Sequence, residues 1–273
     1  MTGRSTDESS MRALIVVPTY FEAENIVEFL RRARAAAPSA DILVVDDHSD
    51  DGTAELAEQQ GRELGQISVL RRPGKGGLGG AYRAGFARGL QYGYDVLVEI
   101  DADLSHDPDA LPQMLRALET GADLVIGSRY IPGGAIPEWS WHRRALSRWG
   151  NRYAAFVLGL DVTDATSGYR GFRADALQRA DYQSTKATGY GFQIELAYRV
   201  GRNGGAIAEV PIVFTDRVRG HSKMSGSIAL EAMLLVTWWA VRDRIFRRGR
   251  RRTQPAVGVG VGVGANSVNP SDS

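Results

Sequence analysis

Residues 13–18 (ALIVVP), 42–46 (ILVVD) and 95–101 (DVLVEID) decide the fold. Each is a short run built mainly of Val, Ile and Leu, and the stretches between them have the spacing of amphipathic helices. Runs that are apolar at nearly every position are typical of strands in a parallel sheet that helices cover on both faces. The sequence therefore predicts an α/β fold with a doubly wound sheet.

Two shorter apolar runs extend this sheet, at 67–70 (ISVL) and 123–128 (DLVIGS). The predicted helices between the runs cover residues 24–37, 53–62, 78–91 and a stretch after Asp107-Pro108. The second half of the chain is less regular. It contains a Trp- and Arg-rich segment at 139–149, an SGYRGF element at 167–172 and a predicted strand pair around 206–214.

The composition limits the class of protein. With 273 residues, of which 43% are hydrophobic, the chain can bury a core, which excludes a disordered chain or a mini-protein. It has no cysteine, which excludes disulfide scaffolds, thiolate metal sites and cysteine nucleophiles. The first fifteen residues lack an apolar secretory segment, and no charge-free apolar run is long enough to span a membrane. We therefore expect a cytoplasmic protein.

The net charge of +1 hides an uneven distribution. Residues 242–252 (RDRIFRRGRRR) contain seven Arg and one Asp, a net charge of +6, whereas residues 1–241 have a net charge of −4. An acidic body without an aromatic RNA-binding signature argues against nucleic acid as the partner. The basic segment is where an anionic partner is expected.

These patterns divide the chain into four segments. Residues 1–10 are expected to be a disordered leader, and residues 253–273 a disordered tail of low complexity. The predicted folded domain covers residues 11–224. Residues 225–252 combine the basic segment with a predicted amphipathic helix at 228–241, which is nearly all apolar and carries one Glu.

Ligands of a doubly wound sheet bind at the carboxyl ends of its strands. In PTYFEAEN (18–25), after the first strand, Tyr20 can cover a base or ribose and Glu22 can accept hydrogen bonds from a base edge or a sugar hydroxyl. Asp47 follows the second strand and is interpreted as a ligand-binding residue. Residues 50–52 (DDG) instead fit a turn that caps a helix.

Two carboxylates one residue apart, Asp101 and Asp103, end the strand at 95–101 and begin the next loop. Such a pair can hold a hard divalent ion that also takes diphosphate oxygens, which is how Mg²⁺ or Mn²⁺ is usually bound to nucleotide substrates. The alternative role, helix capping, is already filled by Asp107 with Pro108 at the first helical position. The four His residues show no zinc-binding spacing.

The order of the motifs is specific even though no single motif is. The chain contains, in this order, PTYxE, VVDDxSxDGT, KGGLGGAYRAGF, DADLSH, GSRY, HRRALS, TSGYRGF, EVPIVF and RxRGxSK. From Met11 to Lys223 it resembles the dolichol/polyprenol-phosphate mannosyltransferases, inverting glycosyltransferases with a GT-A fold. The resemblance implies transfer of mannose from GDP-mannose to a polyprenyl phosphate lipid, which gives polyprenyl β-mannosyl phosphate and GDP.

The resemblance also assigns the donor and metal sites. The residues implied at the donor are Pro18, Tyr20, Glu22, Val45, Asp47, Asp101, Ala102, Asp103, Arg217 and Lys223. Asp101, Asp103 and Ser105 are implied to hold the metal, Mg²⁺ or Mn²⁺. Relatives carry a Gln at the position of Ser105, and an Asn at the position of Phe21.

The acceptor site follows from the same resemblance. Arg129, Arg143 and Ser147 are implied to bind the phosphate of the lipid, since Arg offers a planar fork to phosphate oxygens. Arg217 and Lys223, in a Gly-containing loop, would close over the donor diphosphate. The residues implied to be catalytic are Asp101, Asp103, Arg129 and Arg143.

A lipid acceptor would bring the protein to a membrane. The helix at 228–241 is too short to span a bilayer of ~30 Å. With Trp238, Trp239 and the Arg cluster at 242–252 it suits an anchor on an anionic membrane surface. The alternative is that this helix packs on the folded domain. We expect a peripheral protein at the inner face of the cell membrane, and this arrangement leaves room for a membrane-embedded protein partner.

Two other functions have weaker support. The same fold and acceptor would suit another sugar nucleotide, such as UDP-glucose. A dinucleotide-dependent oxidoreductase is disfavoured because no GxGxxG motif follows the first strand.

Overall fold

The computed structural model describes residues 11–187, 189–216 and 233–241. Within these ranges seven strands form one sheet. The strands are β1 (Ala13–Thr19), β2 (Asp41–Asp46), β3 (Ile67–Arg71), β4 (Val96–Glu99), β5 (Leu124–Ser128), β6 (Arg170–Arg173) and β7 (Ile207–Pro211).

Helices connect most of the strands. They are α1 (Ile26–Ala36), α2 (Thr53–Leu64), α3 (Gly77–Gln91), α4 (Leu111–Glu119), α5 (Trp141–Leu158), α6 (Ala174–Arg179) and α7 (Tyr190–Arg202). Short 3₁₀ turns lie at Pro108–Ala110 and Tyr182–Ser184, and residues 233–241 form a further helix.

The strand order is β3-β2-β1-β4-β6-β5-β7. All neighbouring strands are parallel except β6, which is antiparallel to both β4 and β5. Because β6 runs the other way, its first residue, Arg170, lies beside Glu99 at the carboxyl end of β4. The residues just before β6 therefore join the same edge of the sheet as the carboxyl ends of the parallel strands.

Both faces of the sheet are buried, as the apolar runs predict. Alternate residues of β1 enter two separate cores: Leu14 and Val16 pack with α3 and α7, whereas Ile15 and Val17 pack with α1 and α4. The α/β fold and the five predicted apolar strands are confirmed. The predicted helices are also confirmed, with ends displaced by one or two residues.

Two predictions for the second half need correction. The segment around 206–214 is not a strand pair but one strand, β7, followed by isolated bridges at Val213 and Phe214. The Trp- and Arg-rich segment begins an eighteen-residue helix, α5, which the composition did not reveal. The predicted helix at 228–241 is described only over 233–241, where Val236, Trp239 and Ala240 are buried against the domain. The two terminal segments, 1–10 and 253–273, lie outside the described residues, so the segment boundaries stay predictions.

Helix α3 approaches β1 closely through glycine. A Cβ atom on Gly85 would lie 2.2 Å from Cγ1 of Val16, which is fully buried in the centre of the sheet. Only a residue without a side chain permits this contact. This glycine of the KGGLGGAYRAGF motif (75–86) thus lets α3 pack close to β1.

We predict that Gly85→Ala lowers the free energy of unfolding by about 1–3 kcal/mol, because overpacking against Val16 exceeds the gain in helix propensity. The matched control is Gly150→Ala in the middle of α5, where an added Cβ meets no atom within 4 Å. That change should raise stability by up to about 1 kcal/mol. Urea unfolding of both variants checks the prediction, and equal stabilities would contradict it.

Candidate active site

A cavity of about 560 Å³ lies at the carboxyl ends of β1, β2, β4 and β5. Most of the residues that the sequence assigns to a site line it. These are Pro18, Tyr20, Glu22, Asp47, Asp101, Ala102, Asp103, Ser105, Arg129 and Arg143. Residues from four separate loops and one helix thus meet in a single space.

Two of the assigned residues, Val45 and Ser147, do not line the cavity. The side chain of Val45 is fully buried in the core beneath the cavity, packed with the α3 side of the sheet. Ser147 is one turn after Arg143 on α5, but its Oγ accepts a hydrogen bond of 2.7 Å from the Tyr130 hydroxyl, outside the cavity lining. Arg217 and Lys223 lie outside the described residues.

The loop after β1 presents an aromatic ring to the cavity. Lys75 Nζ lies 4.2 Å from the centroid of the Tyr20 ring, and Glu22 accepts a hydrogen bond of 2.8 Å from Asn25. Phe21 has φ +59°, a left-handed conformation that Asn adopts more readily than Phe. The Asn of relatives therefore fits this backbone, and the Phe of this chain is held there by its edge contact with Tyr20 and by a hydrogen bond from its N–H to Ser49.

Asp47 organises the start of α3. One of its oxygens pairs with Arg72, and the other accepts backbone N–H groups of Gly76 and Gly77 at 2.9 and 3.0 Å. The side chain is 4% exposed and still lines the cavity. The sequence did not predict a role for Arg72. In the structure Asp47 also positions the Gly-rich loop, residues 76–77, at the start of α3.

The two carboxylates after β4 are held by different partners. Asp101 accepts a hydrogen bond of 3.0 Å from the hydroxyl of Tyr82 on α3, and Asp103 accepts one of 3.0 Å from the N–H of Ser105. Burial, together with the charge of Asp101, raises the pKa of Tyr82 well above its usual value, so this hydroxyl keeps its proton.

The same loop fits a divalent cation. The Oγ of Ser105 is buried in the cavity wall and has no hydrogen-bond partner among the described residues. A buried hydroxyl without a hydrogen-bond partner lowers stability unless a ligand supplies that hydrogen bond. Two carboxylates and a hydroxyl are hard oxygen donors, which Mg²⁺ and Mn²⁺ prefer. The donor set therefore matches the predicted metal.

Arg129 is anchored rather than mobile. Its Nε and Nη2 atoms each donate to Asp164 at 2.7 Å, and Nη2 also donates to Thr166 at 2.9 Å. Asp164 is fully buried. Burial alone would raise the pKa of this carboxyl, but the charge and hydrogen bonds of Arg129 hold it below its usual value. A bidentate pair of this kind fixes the direction in which the guanidinium faces the cavity.

Arg143 is held more loosely, at the same Trp139 ring that Arg129 approaches. Its guanidinium lies 3.8 Å from the centroid of the Trp139 ring and donates to Asp216 at 3.2 Å. Asp216 also accepts a hydrogen bond of 2.8 Å from the Trp139 indole. The Arg143 side chain is 46% exposed, so this ion pair is weak and an incoming anion can replace it.

Two buried ionisable side chains, Arg170 and Glu99, lie next to each other close to the cavity. Arg170 is fully buried and donates to the carbonyls of Ala165, Ser167 and Gln193 at 2.6–2.7 Å. Glu99 lies 3.9 Å away, and burial raises the pKa of Glu99 to about 8. These bonds hold the segment before β6 and the start of α7 beneath Asp101.

Sequence reasoning missed several residues of the lining. Gln193 on α7 is 2% exposed, faces the cavity, and its amide makes no hydrogen bond of normal geometry to a described residue. His106 also lines the cavity, packed between Tyr169 and Phe214, although its sequence context indicated a polar loop. Only the local motifs DADLSH and FQIEL could have drawn attention to them.

The fold and the site define the class of protein. A mostly parallel, helix-covered sheet with this cavity is a GT-A-like fold, and the protein is a glycosyltransferase. The model of glycosyl transferase family 2 matches residues 14–180. The chain therefore belongs to glycosyl transferase family 2.

The names of two similar proteins contain a polyprenol or a polyprenyl phosphate. The chain is 46% identical to the polyprenol monophosphomannose synthase of Mycolicibacterium smegmatis, over 89% of this chain and 92% of that protein. It is 50% identical to the undecaprenyl-phosphate mannosyltransferase of Micrococcus luteus, over 86% of this chain and 96% of that one. A mannosyltransferase from Pyrobaculum calidifontis, crystallised with GDP-Man and Mn²⁺, shares the fold with a TM-score of 0.60 and 17% identity, over 89% of this chain and 66% of that one.

We predict that Asp164→Asn lowers the free energy of unfolding at pH 7 by about 3 kcal/mol, because it leaves the buried charge of Arg129 without a counter-charge. The folded pKa of Asp164 is lowered, so its contribution is present above the usual value of 3.8 and is lost as the pH falls through the lower folded value. The stability difference from the wild type should therefore narrow in acid.

Urea unfolding at pH 7 and below pH 3.8 measures this difference. Asp161→Asn, an exposed change three residues earlier, is the control and should alter stability little. A difference that is the same at both pH values would contradict the assigned ion pair.

Proposed function

We propose that the protein transfers mannose from GDP-mannose to a polyprenyl monophosphate, with inversion, to give polyprenyl β-mannosyl phosphate and GDP. One observation carries the proposal: the carboxylates of Asp101 and Asp103 line a single cavity together with Arg129 and Arg143. The names of the two relatives at 46% and 50% identity support both the sugar and the class of acceptor.

The donor would occupy the side of the cavity formed by the loops after β1 and β2. Tyr20 offers a ring face to the base or ribose, and Glu22 offers a carboxylate to donor groups. Asp47 lines the same side and holds the Gly-rich loop at the start of α3. Val45 would contribute through its backbone, since its side chain is in the core.

Asp101 and Asp103 would hold Mg²⁺ or Mn²⁺, with Ser105 as the third oxygen. When bound, such an ion neutralises the charge that develops on the leaving diphosphate. Tyr82 and the backbone of Ser105 keep the two carboxylates in place for this task. Arg217 and Lys223, outside the described residues, are proposed to assist at the same diphosphate.

The acceptor needs no base from the protein. The second pKa of a phosphate monoester is about 6, so the phosphate is largely a dianion at neutral pH. A phosphate oxygen forms the new bond to the anomeric carbon, and the bond from that carbon to the GDP oxygen breaks with its electron pair. Arg129 and Arg143 would hold the acceptor in line and reduce the repulsion between two anions.

The lipid acceptor places the enzyme at a membrane. No helix among the described residues has the length and apolar character of a membrane span. We therefore propose peripheral attachment at the inner face of the cell membrane, to anionic lipid, with room for a membrane-embedded protein partner. The basic segment 242–252, outside the described residues, stays a predicted part of this attachment.

We predict that Asp103→Ala and Asp103→Asn each reduce mannosyl transfer at least about 100-fold, because the ion and its charge stabilisation of several kcal/mol are lost. Asp109→Asn is the control: its side chain is 74% exposed, it lies six residues further along, and it does not line the cavity. Transfer from radiolabelled GDP-mannose into lipid measures the effect. Near-normal transfer by a folded Asp103 variant would contradict the assignment.

We predict that Arg143→Ala raises the KM for polyprenyl phosphate about 10-fold or more, as expected for loss of a charge-assisted hydrogen bond, and changes the KM for GDP-mannose little. Arg144→Ala, at the next position of α5 but outside the cavity lining, should leave both values near those of the wild type. A larger rise in the KM of the donor than of the acceptor would reverse the assignment of the two sides.

A further inference from the structure

Exposed apolar side chains are concentrated on two helices. Among the described residues twelve large apolar side chains are exposed, and seven of them lie on α5 or on the 233–241 helix. These seven form what we call the apolar face: Trp141, Leu146, Trp149, Phe156, Leu234, Trp238 and Val241. They are 49–82% exposed. Single exposed apolar residues need no explanation, but a cluster marks an interaction surface.

On α5 the apolar face is opposite the side that packs on the domain. Leu146, Trp149 and Phe156 follow a spacing of three or seven residues, which places them on one side of a helix. The buried residues of α5 are Asn151, Ala154 and Ala155. The helix therefore contacts the domain on the side of Ala154 and Ala155, and the side chains of Leu146, Trp149 and Phe156 face outward.

The two helices form one continuous surface. The hydroxyl of Tyr153 on α5 lies 2.8 Å from Oγ1 of Thr237 on the 233–241 helix, and the Tyr153 ring stacks on Trp149. Trp239 is buried and stacks on Tyr198 of α7. The 233–241 helix is thus attached to the domain by one side, and its other side extends the exposed surface of α5.

The charged residues within α5 all have one sign. Helix α5 contains four Arg and no Asp or Glu. Arg148 and Arg152 are exposed next to Trp149. A helix with Trp, Phe and Leu on one side, flanked by Arg, has the composition of a helix that lies in a membrane interface. An anionic lipid surface matches this charge, and each Arg near it contributes about 1 kcal/mol.

The apolar face is also continuous with the acceptor side of the cavity. Arg143, in the first turn of α5, lines the cavity, and Leu146 of the face is three residues later. When the phosphate of a lipid acceptor binds at Arg143, the hydrocarbon chain of that lipid stays in the bilayer. Helix α5, which begins at the cavity, would then lie at the membrane surface.

We propose that the apolar face inserts into the headgroup region of an anionic bilayer, with α5 along the surface and the cavity opening toward the lipid. This proposal rests on the lipid acceptor of the proposed function, but its test does not require transfer activity. It assigns the attachment to folded helices of the domain, in addition to the basic segment.

Flotation of the full chain with protein-free vesicles of phosphatidylcholine and phosphatidylglycerol tests the proposal. We expect Trp149→Gln/Phe156→Gln to lower the partition coefficient at least about 10-fold, since two large apolar side chains no longer enter the interface. The control is Leu64→Gln/Tyr92→Gln, which changes two exposed apolar residues at the carboxyl ends of α2 and α3 and should bind as the wild type does.

A second measurement does not depend on the stability of that variant. The chain has no cysteine, so Phe156→Cys and Tyr92→Cys can each carry one environment-sensitive fluorophore. On addition of the vesicles the label at position 156 should shift to the blue, and the label at 92 should not. Equal responses at both positions, or equal flotation of the wild type and the Trp149/Phe156 variant, would overturn the proposal.

The outcomes of these experiments test the membrane-binding surface, the proposed function and binding to a protein partner separately. Binding to native membranes but not to protein-free vesicles would overturn the proposal in favour of a membrane protein. A wild type that floats but transfers no mannose would contradict the proposed function and leave the surface intact. If both hold, the Trp149/Phe156 variant should transfer normally to a short, water-soluble prenyl phosphate and poorly to a long-chain acceptor in vesicles.

Discussion

The parallel pairing of β1 with β2 and β4 is the constraint on which the site depends. Parallel strands end at the same edge, so the loops after β1, β2 and β4 meet there, and the reversed strand β6 brings Arg170 and the residues before it to the same place. The close contact of α3 with β1 at Gly85 sets the position of Tyr82, and through it the position of Asp101. Packing within the sheet thus determines the geometry of the polar groups in the cavity.

The two Arg residues of the cavity differ in how firmly they are held. Arg129 is fixed by the buried carboxylate of Asp164, so it has a set direction before any ligand arrives. Arg143 makes an exposed ion pair with Asp216 and stacks on Trp139, a contact that an anion can replace. One guanidinium group that is already fixed and one that can exchange its partner suit the proposed acceptor, which enters as a phosphate and leaves with a sugar attached.

The parts of the structure that the sequence could predict are local. The apolar strands were identified from their runs of Val, Ile and Leu, and Asp101 and Asp103 because they share one loop, whereas Ser105 followed from the resemblance. Helix α5 was missed because its largest apolar side chains, such as Trp149 and Phe156, are exposed, so the apolar pattern does not mark the side that faces the core. Tyr82 and Asp164 lie 19 and 35 positions from Asp101 and Arg129, the residues they bind, and only the folded chain brings each pair together. Ser147, matched to relatives by position, instead bonds to Tyr130.

We propose that this cavity joins mannose from GDP-mannose to a lipid phosphate with the help of a divalent ion. Product analysis with the purified full chain, polyprenyl phosphate, and either GDP-mannose or UDP-glucose, before and after removal of metal by a chelator, tests this proposal. We expect a mannosyl lipid from GDP-mannose, its loss on chelation and its return with Mn²⁺ or Mg²⁺. A glucosyl lipid from UDP-glucose alone, or transfer that chelation leaves unchanged, would contradict it.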